Sequence, residues 1–550
     1  MRIWRLCGIV AFAGMLLAGC AGQPKVPPST EIDESAYGLA VWRLSSDDFE
    51  GRRPGTPGED KTVAYLTDQF RNLGLKPGNG QSFVQLVPMV ETATGADAEL
   101  SVAGRQGTIR LASGKDMVIW SKPGLPEAEL RRSDLVFVGY GIVAPEFGWN
   151  DYEGVDVHGK TVMVLSNDPG YGSKDPKTFR GGAMTYYGRW AYKIEEAARQ
   201  GAAAVLLVHD DATAGYGWNV VQNTWGGPQL ELATADAAEG HASVEGWLQK
   251  DAARTLFGAA GLDFAASATA AAHAGFKAIP MGLSVDATLH NSVRRFNSSN
   301  VIAVLPGGGR HKEYVLYTAH WDGLGREPAR SGHNIFNGAV ADASGTAGLL
   351  VLAQSFVRTK PVADRTIVFL ALTGGESGLL GSRYYVANPL FPLRDTAAVL
   401  NLDGLRAGGR ARNLTLLGSG NSDLEDYARG AALLQGRTVT PDPLPERGLY
   451  YRSDSLIFAE AGVPALYALR GFDDAARGPE WGRAQFDDYM MHRYRQPGDQ
   501  YSSDWNVRGA LDDLTLYYEV GNRVARTRRF PRWYPNSEFR VSRAHKPAAP

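Results

Sequence analysis

The chain has few cysteines and no excess of charge of either sign, and each shortage excludes a class of protein. Its 550 residues include two cysteines, Cys7 and Cys20, which are too few for a Cys-rich zinc site or a disulfide scaffold. The 57 Lys and Arg residues nearly balance the 59 Asp and Glu residues, whereas nucleic-acid binders usually carry a basic surface. We therefore expect no nucleic-acid partner, and a metal site must use His, Asp and Glu side chains.

The apolar run at the N-terminus is too short to cross a membrane. Two arginines precede the apolar residues 8–17, which have the pattern of a signal peptide but fall short of the about 20 residues of a membrane span. Residues 17–20 (Leu-Ala-Gly-Cys) resemble a bacterial lipoprotein box, in which the cysteine is acylated; an ordinary secretory signal is the alternative. The resemblance implies lipidation of Cys20. Ala21 after it favours the outer membrane, facing the periplasm, with membrane contact through the lipid anchor only.

Short apolar strands alternate with helices along the rest of the chain. A hydrophobic share of 44% is typical of globular proteins, and this length calls for more than one domain. The predicted strands are residues 135–138, 162–165, 203–208, 301–305, 314–318, 366–371 and 397–402, and the predicted helices are residues 59–73, 192–200 and 344–359. Residues 96–125 alternate weakly, as edge strands do, and residues 230–275 are Ala-rich and predicted to be helical. Unbroken apolar strands indicate burial on both faces, so we expect an α/β fold with a doubly wound mixed sheet.

Three of these strands lead to side chains that can bind a metal. His320 and Asp403 directly follow apolar strands, and Glu376 follows another strand through a short Gly-containing loop. Because ligands bind beyond the carboxyl ends of strands in open α/β sheets, we expect the three side chains to converge. One His with two carboxylates suits zinc, and Asp322 is placed to orient the imidazole of His320. Taken singly, each residue is more typical of a polar cap on a strand, and the three together favour a metal site.

Several longer motifs in the chain resemble one family of enzymes. They are residues 49–56 (Phe-Glu-Gly-Arg-Arg-Pro-Gly-Thr), 137–141 (Phe-Val-Gly-Tyr-Gly), 186–190 (Tyr-Tyr-Gly-Arg-Trp), 319–322 (Ala-His-Trp-Asp), 337–339 (Asn-Gly-Ala), 343–345 (Ala-Ser-Gly), 376–382 (Glu-Ser-Gly-Leu-Leu-Gly-Ser) and 401–403 (Asn-Leu-Asp). Together they resemble the bacterial zinc aminopeptidases of the glutamate-carboxypeptidase and transferrin-receptor clan, a metallopeptidase family with a hydrolase fold and an inserted protease-associated (PA) domain. The resemblance covers nearly all of residues 36 to about 525 and implies the zinc-exopeptidase type of sheet.

The resemblance also implies the domain boundaries. They are a lipoprotein signal peptide over residues 1–20, a tether over 21–35, the N-terminal part of the peptidase-like domain over 36–125, an inserted PA-like domain over 126–295, the main peptidase-like domain over 296–528 and a C-terminal tail over 529–550.

The family site holds two zinc ions, and part of its ligand set is present here. His320 and Asp403 stand at the positions of two ligands of one ion, and Glu376 at the position of a ligand of the other. The resemblance therefore implies that these three side chains descend from a metal site.

Three further positions depart from the family pattern. Ala341 stands where the family has the Asp that bridges the two ions, Gly375 where it has the general-base Glu, and Arg495 where it has the second His ligand. No intact catalytic residue is left. A guanidinium offers donors and no lone pair, so we expect Arg495 to pair with Glu376 in the place of the second ion.

Three neighbouring side chains are candidates for replacement ligands. Asp342 follows the lost bridging position directly, and His333 and His492 lie in nearby loops. Adjacent residues on an ordered turn point in different directions, and a lone His in a loop is usually solvated. We therefore predict that the site holds one zinc ion or none. Whether Asp342 serves as an additional ligand is left open by the sequence.

Two functions follow from this partial site. One is a pseudoenzyme, an envelope lipoprotein with a zinc-aminopeptidase fold that binds a peptide or protein ligand in the former active-site cleft. The other is a metal-dependent exopeptidase that releases N-terminal residues from peptides at a rearranged or mononuclear site. The sequence leaves open which of the two applies, the ligand, the oligomeric state and the role of the inserted domain.

Overall fold

The structure is a computed structural model that describes residues 32–540, except 174, 235–238 and 329. The predicted signal peptide, the lipidation site Cys20 and most of the predicted tether lie outside the described residues.

The helices surround two sheets. In chain order they are α1 (Glu34–Leu44), α2 (Pro57–Asn72), α3 (Trp190–Arg199), α4 (Asp211–Ala214), α5 (Trp218–Trp225), α6 (Lys250–Ala259), α7 (Phe264–Ala271), α8 (Ser344–Arg358), α9 (Leu380–Ala387), α10 (Leu424–Leu434), α11 (Asp454–Glu460), α12 (Gly478–His492) and α13 (Arg508–Arg526). The predicted helices at 59–73, 192–200 and 344–359 correspond to α2, α3 and α8 with ends that differ by two residues at most.

The strands include all those predicted from the apolar runs. In chain order they are β1 (Lys76–Pro77), β2 (Val84–Thr94), β3 (Glu99–Gly104), β4 (Gly107–Leu111), β5 (Met117–Ser121), β6 (Glu127–Phe137), β7 (Val143–Ala144), β8 (Trp149–Asn150), β9 (Thr161–Leu165), β10 (Ala204–His209), β11 (Gln229–Leu232), β12 (Val244–Gln249), β13 (Ile279–Leu305), β14 (Tyr314–His320), β15 (Gly325–Arg326), β16 (Ile335–Phe336), β17 (Thr366–Leu372), β18 (Thr396–Asn401), β19 (Asn413–Leu417), β20 (Thr438–Pro441) and β21 (Ala465–Arg470).

The main sheet is mixed, with a parallel centre. Its strand order is β20-β19-β21-β18-β14-β17-β13-β2-β11, and β1 also pairs with β13. Strands β21, β18, β14 and β17 run parallel, whereas β13, β2 and β11 are antiparallel to their neighbours. The central strands are buried along their whole length, because helices cover both faces. The α/β class with a mixed sheet is thus confirmed.

The long strand β13 belongs to two sheets. Its residues 279–290 pair with β6 and β3, and its residues 291–305 pair with β2, β17 and β1. The second sheet has the order β4-β3-β13-β6-β9-β10-β12-β5 and forms the centre of an inserted unit.

The inserted unit begins earlier in the chain than predicted. Strands β3, β4 and β5 pair within the second sheet, so the unit spans about residues 99–290 and not 126–295. Weak alternation of apolar and polar residues predicts an edge strand without saying which sheet it joins.

Three further expectations need correction or refinement. Residues 230–275 contain the strands β11 and β12 as well as α6 and α7, because buried strands of four to six residues lack a periodic signature. The folded part also begins before residue 36, since Ile32 is buried and the Asp33 side chain accepts a hydrogen bond from the backbone N–H of Ala36. The part of the tail described after residue 528 has no helix or long strand, yet Phe539 is buried.

Helix α8 lies in the core of the main unit. The segment Ala339–Arg358 is apolar and long enough to cross a membrane, but 83% of its apolar window is buried inside the fold. It packs against α1, β14 and β17. This burial fixes the turn that precedes α8, where the sequence places a candidate ligand.

Candidate metal centre and cleft

Three side chains converge at the carboxyl edge of the main sheet. His320 ends β14, Asp403 lies two residues beyond the end of the parallel neighbour β18, and Asp342 lies in the turn before α8. Each offers one ligand atom, and these atoms lie within 4.8 Å of one another. The convergence follows from the sheet, because parallel neighbours end at the same edge.

The turn before α8 directs Asp342, and not its neighbour, into this cluster. The Asp499 carboxylate accepts the backbone N–H groups of Val340 (3.0 Å) and Ala341 (3.1 Å). Ala341 and Asp342 then adopt non-helical backbone angles before the helix begins. Asp342 is fully buried, whereas Ala341 is half-buried. The carboxylate in the centre therefore comes from the residue after the lost bridging position.

The Asp342 carboxylate is only half satisfied by the protein. Oδ1 accepts the backbone N–H groups of Gly345 (2.9 Å) and Gly404 (3.1 Å). Oδ2 is buried and has no hydrogen-bond partner among the described residues. An unpaired buried carboxylate oxygen is costly, and a cation is the usual partner for one.

Electrostatics at this edge indicate a position for a cation. Burial, opposed by His320 and reinforced by Asp403, raises the pKa of Asp342 well above its ordinary value. Burial by itself disfavours imidazolium, but Asp322 and then Asp342 and Asp403 raise the pKa of His320 well above its ordinary value. The protein alone thus balances these carboxylates with protons. One imidazole and two carboxylates are a donor set that zinc accepts, with one position left open, so the residues present fit this ion.

Asp322 holds the loop beside the cluster. Its Oδ1 lies 3.3 Å from Nδ1 of His320, without the alignment of a hydrogen bond. The same carboxylate accepts the backbone N–H groups of Gly375 (2.7 Å) and Glu376 (3.2 Å). Asp322, predicted to orient the imidazole, is therefore mainly bonded to this loop.

Glu376 lies outside the three-residue cluster and pairs with Arg495. The Nη2 atom of Arg495 contacts Oε2 of Glu376, and both side chains are largely buried. Nη1 of Arg495 donates to Oγ1 of Thr224 in the inserted unit at 3.2 Å. Burial opposes the charged guanidinium, but Glu376 raises the pKa of Arg495 above its ordinary value. A permanent cation thus neutralises the carboxylate that the family uses for its second ion.

The loop position before Glu376 has no room for a side chain. A Cβ atom on Gly375 would lie 2.5 Å from Cγ and 2.8 Å from Nδ1 of His320. Real Cβ atoms essentially never approach so closely. A carboxylate at position 375 therefore requires the loop or the imidazole to move.

The two other replacement ligands considered from the sequence lie elsewhere. His333 is exposed and hydrogen-bonds Asn337 through Nε2 at 3.0 Å. His492 is exposed and contacts Asp488 at 3.1 Å. Sequence reasoning missed Asp499, which shapes the ligand turn; its position in the loop after α12 carries no signal of that role.

A cleft adjoins the centre where the inserted unit meets the main unit. Its volume is about 570 Å³, and its wall includes Glu376 and Arg495 together with Trp190, Trp225 and Tyr216 of the inserted unit. The volume lies within the range of small-molecule sites, about 300–1,000 Å³.

The sheet order and the ligand cluster at its carboxyl edge define a zinc-exopeptidase type of fold. Over 92% of its length the chain is similar in fold to "Aminopeptidase from Aneurinibacillus sp. strain AM-1", with a TM-score of 0.52, 20% identity and coverage of 96% of that chain.

Part of the sequence matches the model of one known family. Residues 300–518 match the model of Peptidase family M28. Residues 300–518 thus form a domain of the kind that this model describes, and the resemblance to zinc aminopeptidases is confirmed.

Curated relatives share only part of their length with the chain. A "Probable zinc metalloprotease" of Pyrenophora tritici-repentis is 28% identical over 282 residues, which are 46% of this chain and 58% of that protein. A "Vacuolar membrane protease" of Eremothecium gossypii is 30% identical over 127 residues, 23% of this chain and 11% of that protein. The chain thus spans a little over half of the first relative and about a tenth of the second.

Proposed function

We propose that the chain is an envelope lipoprotein that binds peptides in the cleft, holds one zinc ion at His320, Asp342 and Asp403, and has lost efficient aminopeptidase turnover. The observation that carries this proposal is the buried pair of Arg495 and Glu376. In this pair the positive charge of Arg495 occupies the carboxylate that a second ion would need as a ligand.

The described residues around the cluster can bind a ligand but provide no free carboxylate to act as the general base of a hydrolase. A zinc ion held there would supply Lewis acidity and a position for water or a carbonyl oxygen. Gly375 provides no carboxylate to accept a proton from that water, and Asp322 is occupied by two backbone N–H groups. General-base catalysis typically contributes about 10²–10⁴-fold, so its loss alone explains impaired turnover.

The inserted unit, by our proposal a PA-like domain, contributes one wall of the cleft. It supplies the aromatic side chains Trp190, Trp225 and Tyr216, and Thr224 anchors Arg495. Its proposed role is to hold the bound peptide against the metal centre.

A second candidate function is an active mononuclear exopeptidase. The observation that favours it is Oδ2 of Asp342, which has no partner among the described residues and completes a three-ligand site. Three protein ligands and one open position are also the arrangement of catalytic zinc sites.

Metal analysis and turnover separate the two candidates. Zinc per chain is measured on purified protein, together with hydrolysis of a panel of aminoacyl-nitroanilides with and without chelator. We expect about one zinc ion and no chelator-sensitive hydrolysis. Chelator-sensitive turnover with one ion establishes the exopeptidase, and two bound ions contradict both candidates.

Restoring the family ligands tests the origin of the site. The variant Ala341→Asp with Arg495→His returns the bridge and the second His, and we expect zinc stoichiometry to rise from about one to about two. Gly375→Glu is left out because its Cβ would collide with His320. The matched control Arg495→Gln removes the cation without adding a ligand, and its stoichiometry should stay at one.

The lipoprotein part of the proposal rests on residues 17–20 (Leu-Ala-Gly-Cys). Labelling with a fatty-acid analogue in a bacterial host should modify the wild-type chain and not Cys20→Ser. Wild-type protein recovered wholly in the soluble periplasmic fraction would contradict an anchored protein.

A further inference from the structure

The cleft contains one arginine that forms no ion pair among the described residues. Arg452 precedes α11 and lies on the cleft wall. Its Nη2 donates to the hydroxyl of Tyr494 at 2.9 Å, and its guanidinium carbon lies 5.1 Å from the ring centre of Tyr216 and 5.7 Å from that of Tyr494. No carboxylate of the described residues comes within 4.0 Å of this guanidinium.

The other arginines on the cleft wall are all paired with an acid. The pairs are Arg189–Glu460 at 3.7 Å, Arg383–Glu231 at 3.0 Å, Arg447–Asp487 at 3.2 Å and Arg495–Glu376. Arg452 therefore differs from the other arginines of the cleft wall because it has no ion-pair partner among the described residues.

A donor without an acceptor lies near Arg452. Nε of Arg495 is buried and has no hydrogen-bond partner among the described residues. The two guanidinium groups are close enough to oppose each other electrostatically. A half-buried guanidinium without an ion-pair partner and a buried N–H group without an acceptor both favour an anionic ligand at this place.

We propose that the cleft recognises a carboxylate of its peptide ligand through Arg452. This inference rests on the proposed peptide-binding function and adds the chemical class of the ligand. A guanidinium presents several N–H donors in one plane, which match the two oxygens of a carboxylate. Tyr216 of the inserted unit and Tyr494 of the main unit contact the guanidinium of Arg452, so its N–H donors are oriented before the ligand binds.

The carboxylate has two sources, the C-terminus of the peptide or an acidic side chain. Four probes distinguish them: Ala-Ala-Ala against its C-terminal amide, and Ala-Ala-Glu-amide against Ala-Ala-Gln-amide. Their affinities are measured by calorimetry on the full mature chain, both zinc-loaded and chelator-treated. We expect one carboxylate probe to bind about 10- to 100-fold more tightly than its neutral partner, the range for hydrogen bonds to charged groups.

Variants separate recognition from support of the cleft. Arg452→Gln should abolish the preference while leaving affinity for the neutral amides unchanged, and Arg452→Lys should retain part of it, because the charge remains without the fork. Arg189→Gln, which removes an arginine that is already paired, is the matched control and should keep the full preference. On the same wall Glu195 is an acid without an ion pair among the described residues; Glu195→Gln should not weaken binding of the carboxylate probe.

Each result has a definite reading. Equal binding of both members of each probe pair overturns the inference but leaves the proposed peptide-binding function intact. Failure of all four probes to bind contradicts both. Equal weakening of all four probes by Arg452→Gln makes Arg452 a structural support, and a preference that vanishes with chelator yet survives Arg452→Gln assigns the carboxylate to the metal.

Discussion

The two halves of the candidate metal centre differ in what balances their carboxylates. In the half formed by His320, Asp342 and Asp403, one carboxylate oxygen has no partner and the ligand atoms converge within 4.8 Å. In the other half, Glu376 is neutralised by Arg495, a cation that belongs to the chain. The comparison shows that the two halves balance their carboxylates by different means: one half leaves an oxygen free for a cation, and the other uses an arginine of the chain.

Removing the converging carboxylate should have the largest effect. Asp342→Asn keeps the shape of the side chain but removes a charged ligand. Zinc affinity should fall about 1,000-fold, since complete four-ligand sites bind zinc with roughly 10–16 kcal/mol shared among their ligands. Titration with a competing chelator measures this. The double variant Glu376→Gln with Arg495→Gln is the control and should bind zinc as the wild type does. If the double variant loses zinc affinity and Asp342→Asn keeps it, the zinc ion is bound at Glu376 and not at Asp342.

Breaking the internal ion pair should come next. Arg495→Gln leaves Glu376 buried without its counter-charge, and we expect the free energy of unfolding of the metal-free protein to fall by about 3 kcal/mol. Urea unfolding measures the loss. The double variant Glu376→Gln with Arg495→Gln should recover most of it, and a double variant as unstable as the single one would mean that the pair is not the cause.

Adding a methyl group at Gly375, between His320 and Glu376, should lower the free energy of unfolding by a smaller amount. Gly375→Ala would put a Cβ 2.5 Å from Cγ of His320, and overpacking of this kind costs about 1–3 kcal/mol. We also expect weaker zinc binding, because His320 must move. Gly258→Ala in α6 is the matched control, since its Cβ meets nothing within 4 Å. Equal effects of the two changes would show that the loop yields without strain.

His241, which also lines the cleft, provides a third example in which a positive charge balances buried carboxylates. Here the charge comes from a proton on the imidazole. Nδ1 of His241 lies 2.9 Å from Glu245, and its Nε2 lies 3.5 Å from Glu231. Burial alone would lower the pKa of His241, but these carboxylates raise it to about 10. The folded state therefore holds its proton more tightly than the unfolded state, so this stabilisation is complete below about pH 6.5 and is lost as the pH rises toward 10.

The effect should be the smallest of the four. Between pH 6.5 and about 8 we expect wild type to lose about 1–2 kcal/mol of stability relative to His241→Gln, measured by urea unfolding at each pH. Parallel pH profiles of the two proteins would show that the imidazole is not the counter-charge of these carboxylates.

Much of the fold could be read from local patterns. Apolar runs predicted β14, β17 and β18, and helical periodicity predicted α2 and α8, because these elements bury continuous or periodic faces. The first boundary of the inserted unit could not be predicted in this way. Strands β3, β4 and β5 have weak patterns. Only the pairing of β3 with β13, of β4 with β3 and of β5 with β12 assigns them to the second sheet.

The sequence by itself determined which chemical groups the site contains. Ala341, Gly375 and Arg495 stand at three family positions, and a methyl group, a hydrogen atom and a guanidinium cannot do the work of two carboxylates and an imidazole. Tertiary structure decided where the remaining groups point. Asp342 reaches the cluster because Asp499, far along the chain, binds the turn before α8. Such direction depends on long-range hydrogen bonds and burial, which no local pattern of residues encodes.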